Sequence, residues 1–101
     1  MAEAAMRLDR FLWWARLAPS RKVAQAMAEA GTLRIDGRRI DRAHAAVRRG
    51  AIIAFARHGR VRVLRVEALP RRRGPPAEAA CLYQDLQTAN ANSVDALGAR
   101  A

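Results

Sequence analysis

Two histidines, His44 and His58, and one cysteine, Cys81, are the side chains of this 101-residue chain best suited to nucleophilic or metal-ligand chemistry. They do not assemble. A closed zinc shell takes four ligands at close, characteristic spacings, and one Cys with two distant His cannot supply them. His58 falls in an expected turn, and His44 has only Asp41 within a helical register. Cys81, between Ala80 and Leu82, reads as a small buried hydrophobe rather than a nucleophile. Asp9 reads as the ion-pair partner of Arg16 or another nearby arginine. Gly31, Gly37, Gly50, Gly59 and Gly74 are too scattered to form a phosphate-cradling loop. The inventory therefore predicts no catalytic residues, no metal and no cofactor, and a protein that is not an enzyme.

The chemistry that remains is cationic. Lys and Arg number 19 against 9 Asp and Glu, a formal charge of +10. Up to Arg73 the count is 18 basic against 6 acidic residues, a net of +12, whereas the remainder has 1 against 3, a net of −2. Lys22 is the sole lysine. Guanidinium forks grip phosphate bidentately and stack on bases, so the first three quarters of the chain read as a surface for a polyanion. Self-repulsion of that size is offset by an anionic partner and not by a neutral one.

The elements that must carry these charges follow from periodicity. Leu8, Phe11, Leu12 and Ala15 fall at i, i+3, i+4 and i+7, predicting a helix from about Arg7 to Leu17. It places Arg7, Arg10 and Trp14 on one flank and Asp9, Trp13 and Arg16 on the other. Pro19 disfavours helical geometry at Ala18, and Ser20 is a suitable N-cap for a second helix. Val23, Ala24, Met27 and Ala30 are its expected buried stripe, and Gly31 its left-handed stop. Arg21, Lys22, Gln25 and Glu29 face outward, with Arg21 and Lys22 in a first turn whose free N–H groups favour an anion.

After Gly31 the period becomes alternating. Leu33 to Ile35 and Arg38 to Ile40 read as strands around an Asp36-Gly37 turn, where both positions tolerate positive φ. Asp41 to Gly50 reads as a loop or short helical turn anchored by Val47. A second hairpin is expected from Ala51–Ala56 and Val61–Leu69 around Arg57 to Arg60, with a bulge or the end of pairing at Leu64 to Val66. Residues 70–76 read as a linker, 77–88 as a third helix with an Ala79, Leu82, Tyr83, Leu86 stripe that packs on its own domain, and 89–101 as a frayed or disordered tail. The longest apolar run, Ala51 to Ala56, is far short of the roughly 20 residues of a membrane span. With no basic, then apolar, stretch after Met1 and no cysteine pair, a cytoplasmic, soluble protein without a membrane partner is expected.

The run Arg7-Leu8-Asp9, then Ser20-Arg21, Ala24 and Gly31-x-Leu33-x-Ile35-Asp36-Gly37, continuing through Val47 and Gly50, resembles the RNA-binding domain shared by ribosomal protein S4, many pseudouridine synthases and small stress proteins. Leu12-Trp13-Trp14-Ala15-Arg16 and the later Arg71-Arg72-Arg73-Gly74-Pro75-Pro76-Ala77-Glu78-Ala79-Ala80-Cys81-Leu82-Tyr83 are similar to the bacterial heat shock protein 15 group. The resemblance implies an α+β fold: residues 6–69 form an S4-like domain of two helices on a small, mostly antiparallel sheet, with a C-terminal helix beyond it. It implies binding to ribosomal RNA on the large ribosomal subunit, on free subunits that carry a nascent chain on tRNA, in stress-linked recycling of stalled subunits. It carries RNA contacts over to Arg7, Ser20, Arg21, Lys22 and Gln25. Arg10, Arg16, Arg34, Arg38 and Arg39 join them by position.

Three positions depart from the family pattern: Asp36 where Asn is usual, Arg42 where Pro is common, and Ala51 where Asp often follows the glycine. Asp-Gly makes the same turn, and the other two make the surface more cationic. The long basic C-terminal extension of some relatives has no counterpart here, so its contacts do not transfer. Charge, a helical pair and a hairpin also fit a DNA-binding architectural protein, because phosphate contacts do not discriminate, and the resemblance to a domain that accompanies pseudouridine synthases implies a second alternative, an RNA-targeting subunit of a separate modifying enzyme. No obligate protein partner is evident from the sequence.

Overall fold

The computed structural model describes residues 4–86. Strand β1 (Ala5–Arg7) runs directly into helix α1 (Leu8–Trp14), followed by α2 (Arg21–Glu29), β2 (Leu33–Ile35), β3 (Arg38–Ile40), β4 (Ala46–Arg48), β5 (Ile52–Arg57) and β6 (Arg60–Val66). A short helix α3 (Pro76–Ala79), a 3-10 turn (Ala80–Leu82) and strand β7 (Tyr83–Asp85) complete the order. The strands form an antiparallel five-stranded sheet in the order β3-β2-β5-β6-β7 and a separate antiparallel pair, β1 with β4. This is the α+β architecture that the sequence implied.

Helix α1 buries the stripe expected of it: Leu8, Phe11, Leu12 and Ala15 are all sealed from solvent. It stops three residues earlier than its periodicity suggested. Arg16 adopts φ 60°, its N–H bonding the Trp13 carbonyl, while the Leu17 N–H reaches back to Leu12. These two bonds are the Schellman arrangement that satisfies the last carbonyls of a helix, with buried Leu17 against Leu12 as its apolar contact. Glycine normally takes the left-handed position, so Arg16 gave no stop signal. In α2 the Ser20 hydroxyl accepts the Val23 N–H at 3.1 Å, as an N-cap should. The most buried positions are Ala24 and Ala28; Val23 and Met27 are half-buried and Ala30 is exposed. The buried stripe is thus centred on small residues, which let α2 lie close to its neighbours, and not on Val23, Met27 and Ala30.

The first hairpin turns at Asp36 (φ 51°) and Gly37 (φ 85°), the left-handed pair that matches strand twist. Asp36 also receives the Ile52 N–H on its Oδ1 at 3.0 Å and donates its own N–H to the Ile52 carbonyl, joining the turn to β5. The second hairpin is continuous from Ile52↔Arg65 to Arg57↔Arg60, without a bulge. The break expected at Leu64 to Val66 is absent because the strand keeps one phase throughout: Leu64 and Val66 point to the core, and Val61 is 60% exposed on the other face. The core face is Leu33, Ile35, Ile53, Phe55, Leu64 and Val66, covered by α1, α2 and Val47.

Two segments differ in kind from expectation. Asp41 to Gly50 contains β4, which pairs with β1 across some 40 residues of sequence (Ala5↔Arg48, Met6↔Val47, Arg7↔Ala46). The loop before β4 also caps α1: the Leu8 N–H bonds the Ala45 carbonyl at 2.8 Å and the Asp9 N–H the Ala43 carbonyl at 3.1 Å. The C-terminal helix expected over 77–88 is helical only over Pro76–Ala79; after the 3-10 turn, Tyr83–Asp85 pair with Leu64–Val66 as a fifth strand. A short isolated helix is marginal in water, and the free edge of β6 offers a full ladder instead. Ala79 is buried and Leu82 and Tyr83 pack on the core, whereas Leu86 and Cys81 are exposed, so Cys81 is not the buried hydrophobe expected. The expected linker packs against α1, with Gly74 buried. Residues 87–88 of the expected helix and the expected tail over 89–101 lie outside the described residues.

Candidate nucleic-acid interface

The first flank of α1 carries Arg7, Arg10 and Trp14. Arg7, in extended geometry just before the helix, places Nε and Nη2 each 3.0 Å from the two carboxylate oxygens of Asp9, which is 2% exposed and also accepts the Arg10 N–H at 2.8 Å. The ion pair expected of Asp9 is made with Arg7 and not with Arg16. The hydrogen bond to Asp9, reinforced by its charge, holds the Arg7 guanidinium above its ordinary pKa. Arg7 is therefore a fixed cation at any ordinary pH, half-exposed and aimed by a buried carboxylate. One turn on, the Arg10 guanidinium lies 5.5 Å from the Trp14 ring centre, a cation–aromatic pair on an open surface. The first three N–H groups of α1 are already bonded by Ala45, Ala43 and Asp9, so these donors are not offered to an anion.

Helix α2 presents Arg21, Lys22 and Gln25 to solvent, while the Ser20 hydroxyl is engaged as its cap. On the first hairpin, Arg34 and Arg39 stand directly opposite each other in the ladder, on the sheet face away from the helices. Like charges so placed repel. Each finds a backbone acceptor instead: Arg34 Nη1 bonds the Gly37 carbonyl at 3.1 Å and Arg39 Nε the Gly31 carbonyl at 2.9 Å. Arg38, opposite Ile35, emerges on the helix side and is exposed. The ten positions singled out from sequence therefore do not make one flat patch. Arg7, Arg10, Arg21, Lys22 and Gln25 lie on the helical layer, and Arg34 and Arg39 lie behind it.

The second flank of α1 is covered. Arg16 Nε donates to the Gly74 carbonyl at 2.7 Å, and Arg73 Nε donates to the Trp13 carbonyl at 3.2 Å with its guanidinium 5.8 Å from the Trp13 ring centre. Below them Arg62 Nη2 sits 3.0 and 2.9 Å from the Asp85 oxygens and its guanidinium carbon 5.6 Å from the Tyr83 ring centre. Partial burial disfavours the Arg62 charge, but hydrogen bonds and charge from Asp85 and Tyr83 outweigh it and raise the pKa. The stability this raised pKa supplies is present throughout the ordinary range and is lost only in strong alkali, as pH rises through the folded value. Arg57 likewise donates to the Leu17 carbonyl at 3.0 Å. Several arginines that count as surface charge in the sequence are thus ties that hold the C-terminal segment and the α1–α2 loop in place.

Sequence reasoning did not assign a second group of exposed side chains to the interface. Arg48 points outward from β4, Arg49 follows it, and His44 and Arg42 precede it, all exposed. Arg42 is legible in the sequence as added charge, but only Val47 in a polar stretch hints at a strand carrying Arg48, because three-residue strands rich in alanine show no readable alternation. Among the described residues no cluster of His, Cys, Asp and Glu could hold a metal, and no helix is long and apolar enough to cross a membrane.

The S4 domain family model matches residues 6–53. The chain is 35% identical over 89 residues to a heat shock protein 15 homolog of Haemophilus influenzae, covering 87% of this chain and 66% of that protein. It is 32% identical over 80 residues to heat shock protein 15 of Escherichia coli K12, covering 79% of this chain and 59% of that one. The chain thus spans about three fifths to two thirds of these relatives. A solved structure of trimeric heat shock protein 15 from Vibrio cholerae superposes with a TM-score of 0.76 at 28% identity, covering 97% of this chain and 94% of that one. These likenesses support an RNA-binding role. With the S4 pattern on α1, α2 and the first hairpin and the likeness continuing through the C-terminal strand, the chain belongs to the S4-domain family, in its heat shock protein 15 group.

Proposed function

We propose that this chain is a non-catalytic, cytoplasmic RNA-binding protein of the large ribosomal subunit, acting on free subunits that still carry a nascent chain on tRNA and helping to recycle them under stress. The observation that carries the reading is the likeness to heat shock protein 15 along nearly the whole described fold, joined to a helical layer whose Arg10, Arg21 and Lys22 make no ion pair among the described residues. Arg10, Arg21, Lys22 and Gln25 contact RNA directly, and Arg7 does so in the orientation Asp9 gives it. Ser20 acts by starting α2, and Arg16 by anchoring the segment that covers the second flank. Arg34, Arg38 and Arg39 add phosphate contacts from the hairpin, where a bound anion would relieve the repulsion between Arg34 and Arg39.

Neutralising about six to eight phosphates gives a log–log dependence of affinity on salt with a slope of about −4 to −7. Gradient fractionation of a lysate is expected to place the protein with free large subunits. Sedimentation with the nucleoid, or a preference for duplex DNA over structured RNA at equal phosphate, would point to a DNA-binding protein. Co-purification with a catalytic chain would point to a targeting subunit. A salt-independent interaction, or one indifferent to Arg21→Ala with Lys22→Ala, overturns the reading.

A further inference from the structure

The two-stranded sheet β1–β4 has one face in the core, through Met6 and Val47, and one in solvent, carrying Ala5, Arg7, Ala46 and Arg48. Two shallow clefts meet on this outer face at Ala46. One, of about 360 Å3, is lined by Arg7, Arg10 and His44; the other, of about 260 Å3, by Arg48 and Arg49. Neither Arg48 nor Arg49 makes an ion pair among the described residues. The acid bordering the second cleft, Asp36, has an oxygen committed to the Ile52 N–H. The apolar lining is Ala5, Met6 and Ala46 in the first cleft and Ile35, Ala46 and Ala51 in the second.

We infer that this outer face, through His44, Arg48 and Arg49, is a second RNA-binding surface that continues the α1 flank and takes a phosphodiester backbone. The inference rests on the RNA-binding reading above and extends it to residues outside the helices and the first hairpin. Guanidinium groups set beside the small, exposed Ala5 and Ala46 let a sugar–phosphate chain approach the strands closely. Arg7 and Arg10 belong both to this face and to the helical flank, so the cationic side chains continue from the flank into the second cleft, whose described lining holds one acid, Asp36, with one oxygen already engaged. A protein partner would be served poorly: interfaces between proteins draw most of their energy from aromatic or aliphatic anchors in pockets, and beyond alanine and glycine these shallow clefts present only Met6 and Ile35 as apolar lining. An acidic peptide is therefore the disfavoured occupant.

The test measures binding of the full chain to purified large-subunit ribosomal RNA over a range of salt concentrations, for wild type, Arg48→Ala with Arg49→Ala, and Arg21→Ala with Lys22→Ala. Losing two phosphate contacts reduces the log–log slope by about 1.4 to 1.8. The inference expects that reduction, with weaker binding, from the Arg48 and Arg49 pair. Unchanged affinity and slope for that pair, while the Arg21 and Lys22 pair weakens, overturns the inference and leaves the general reading intact. Absence of salt-dependent binding by the wild type overturns the general reading itself. Ala5→Glu, which sets a carboxylate directly opposite Arg48 without removing a base, is a second variant should the first fail to fold; it too is expected to weaken binding, and wild-type behaviour from it counts against the inference. Polyglutamate competing as well as RNA at equal charge would also overturn it.

Discussion

Gly31 ends α2 at φ +81°, and a Cβ built there would lie 2.7 Å from Nη2 of Arg39, whose Nε holds the Gly31 carbonyl. Gly31→Ala therefore has two separable costs. Holding an L-residue in the left-handed region costs about 1–2 kcal/mol. The obstructing atoms are the tip of a flexible side chain, so Arg39 swings away, and the second cost is its hydrogen bond, about 0.5–1.5 kcal/mol. The sum of about 1.5–3.5 kcal/mol lowers the melting temperature by roughly 6–28 °C in a domain of this size. Arg39→Ala alone costs about 0.5–1.5 kcal/mol for the same bond. In that background Gly31→Ala retains only its backbone cost, so the double variant falls short of the sum by about 0.5–1.5 kcal/mol, beyond the roughly 0.3–0.5 kcal/mol scatter of independent sites. Thermal and urea unfolding of the four proteins, followed by circular dichroism, measures the cycle. Strict additivity would refute the argument, because it would mean that Arg39 neither blocks the new methyl group nor contributes through the Gly31 carbonyl.

Three further outcomes follow from the same geometry. Ser20→Ala removes the cap on Val23 and is expected to cost about 1 kcal/mol, whereas Ser20→Gly costs a few tenths; equal losses in chemical denaturation would deny the hydroxyl its role. Arg16→Gly relieves the left-handed strain but loses the bond to Gly74, so its stability should stay within about 1 kcal/mol of wild type. Iodide quenching of tryptophan emission should nonetheless increase, and unchanged quenching would show that Arg16 does not hold the segment over Trp13. Asp85→Ala removes both carboxylate oxygens from Arg62 and should accelerate proteolytic cleavage between Arg71 and Pro75; a cleavage rate equal to wild type would show that β7 is held by its backbone ladder alone.

Much of the fold was legible because its signals are local. The i, i+3, i+4, i+7 stripe of α1, the Ser20 cap and the Asp36-Gly37 turn each depend on chemistry within a few residues, and the structure reproduces all three. Where the reading failed, the deciding partner was distant or atypical. Ala5–Arg7 and Ala46–Arg48 are strands only because they pair with each other, and Tyr83–Asp85 left the helical pattern for the open edge of β6. Arg16 occupies a position that glycine usually marks.

The interface divides along the same line. Charge, its concentration before Arg73, and the guanidinium-rich composition follow from the sequence by itself, because charge is additive and needs no geometry to count. Which arginines face a partner was decided only by the tertiary structure. Arg16, Arg57, Arg62 and Arg73 are turned inward onto carbonyls, a carboxylate and aromatic rings, while Arg48 and Arg49 are turned outward by a strand pairing that no local pattern announced. A guanidinium serves equally well as a tie to a buried carbonyl and as a fork for phosphate, and what selects between the two is the acceptor that the rest of the chain brings within about 3 Å of it.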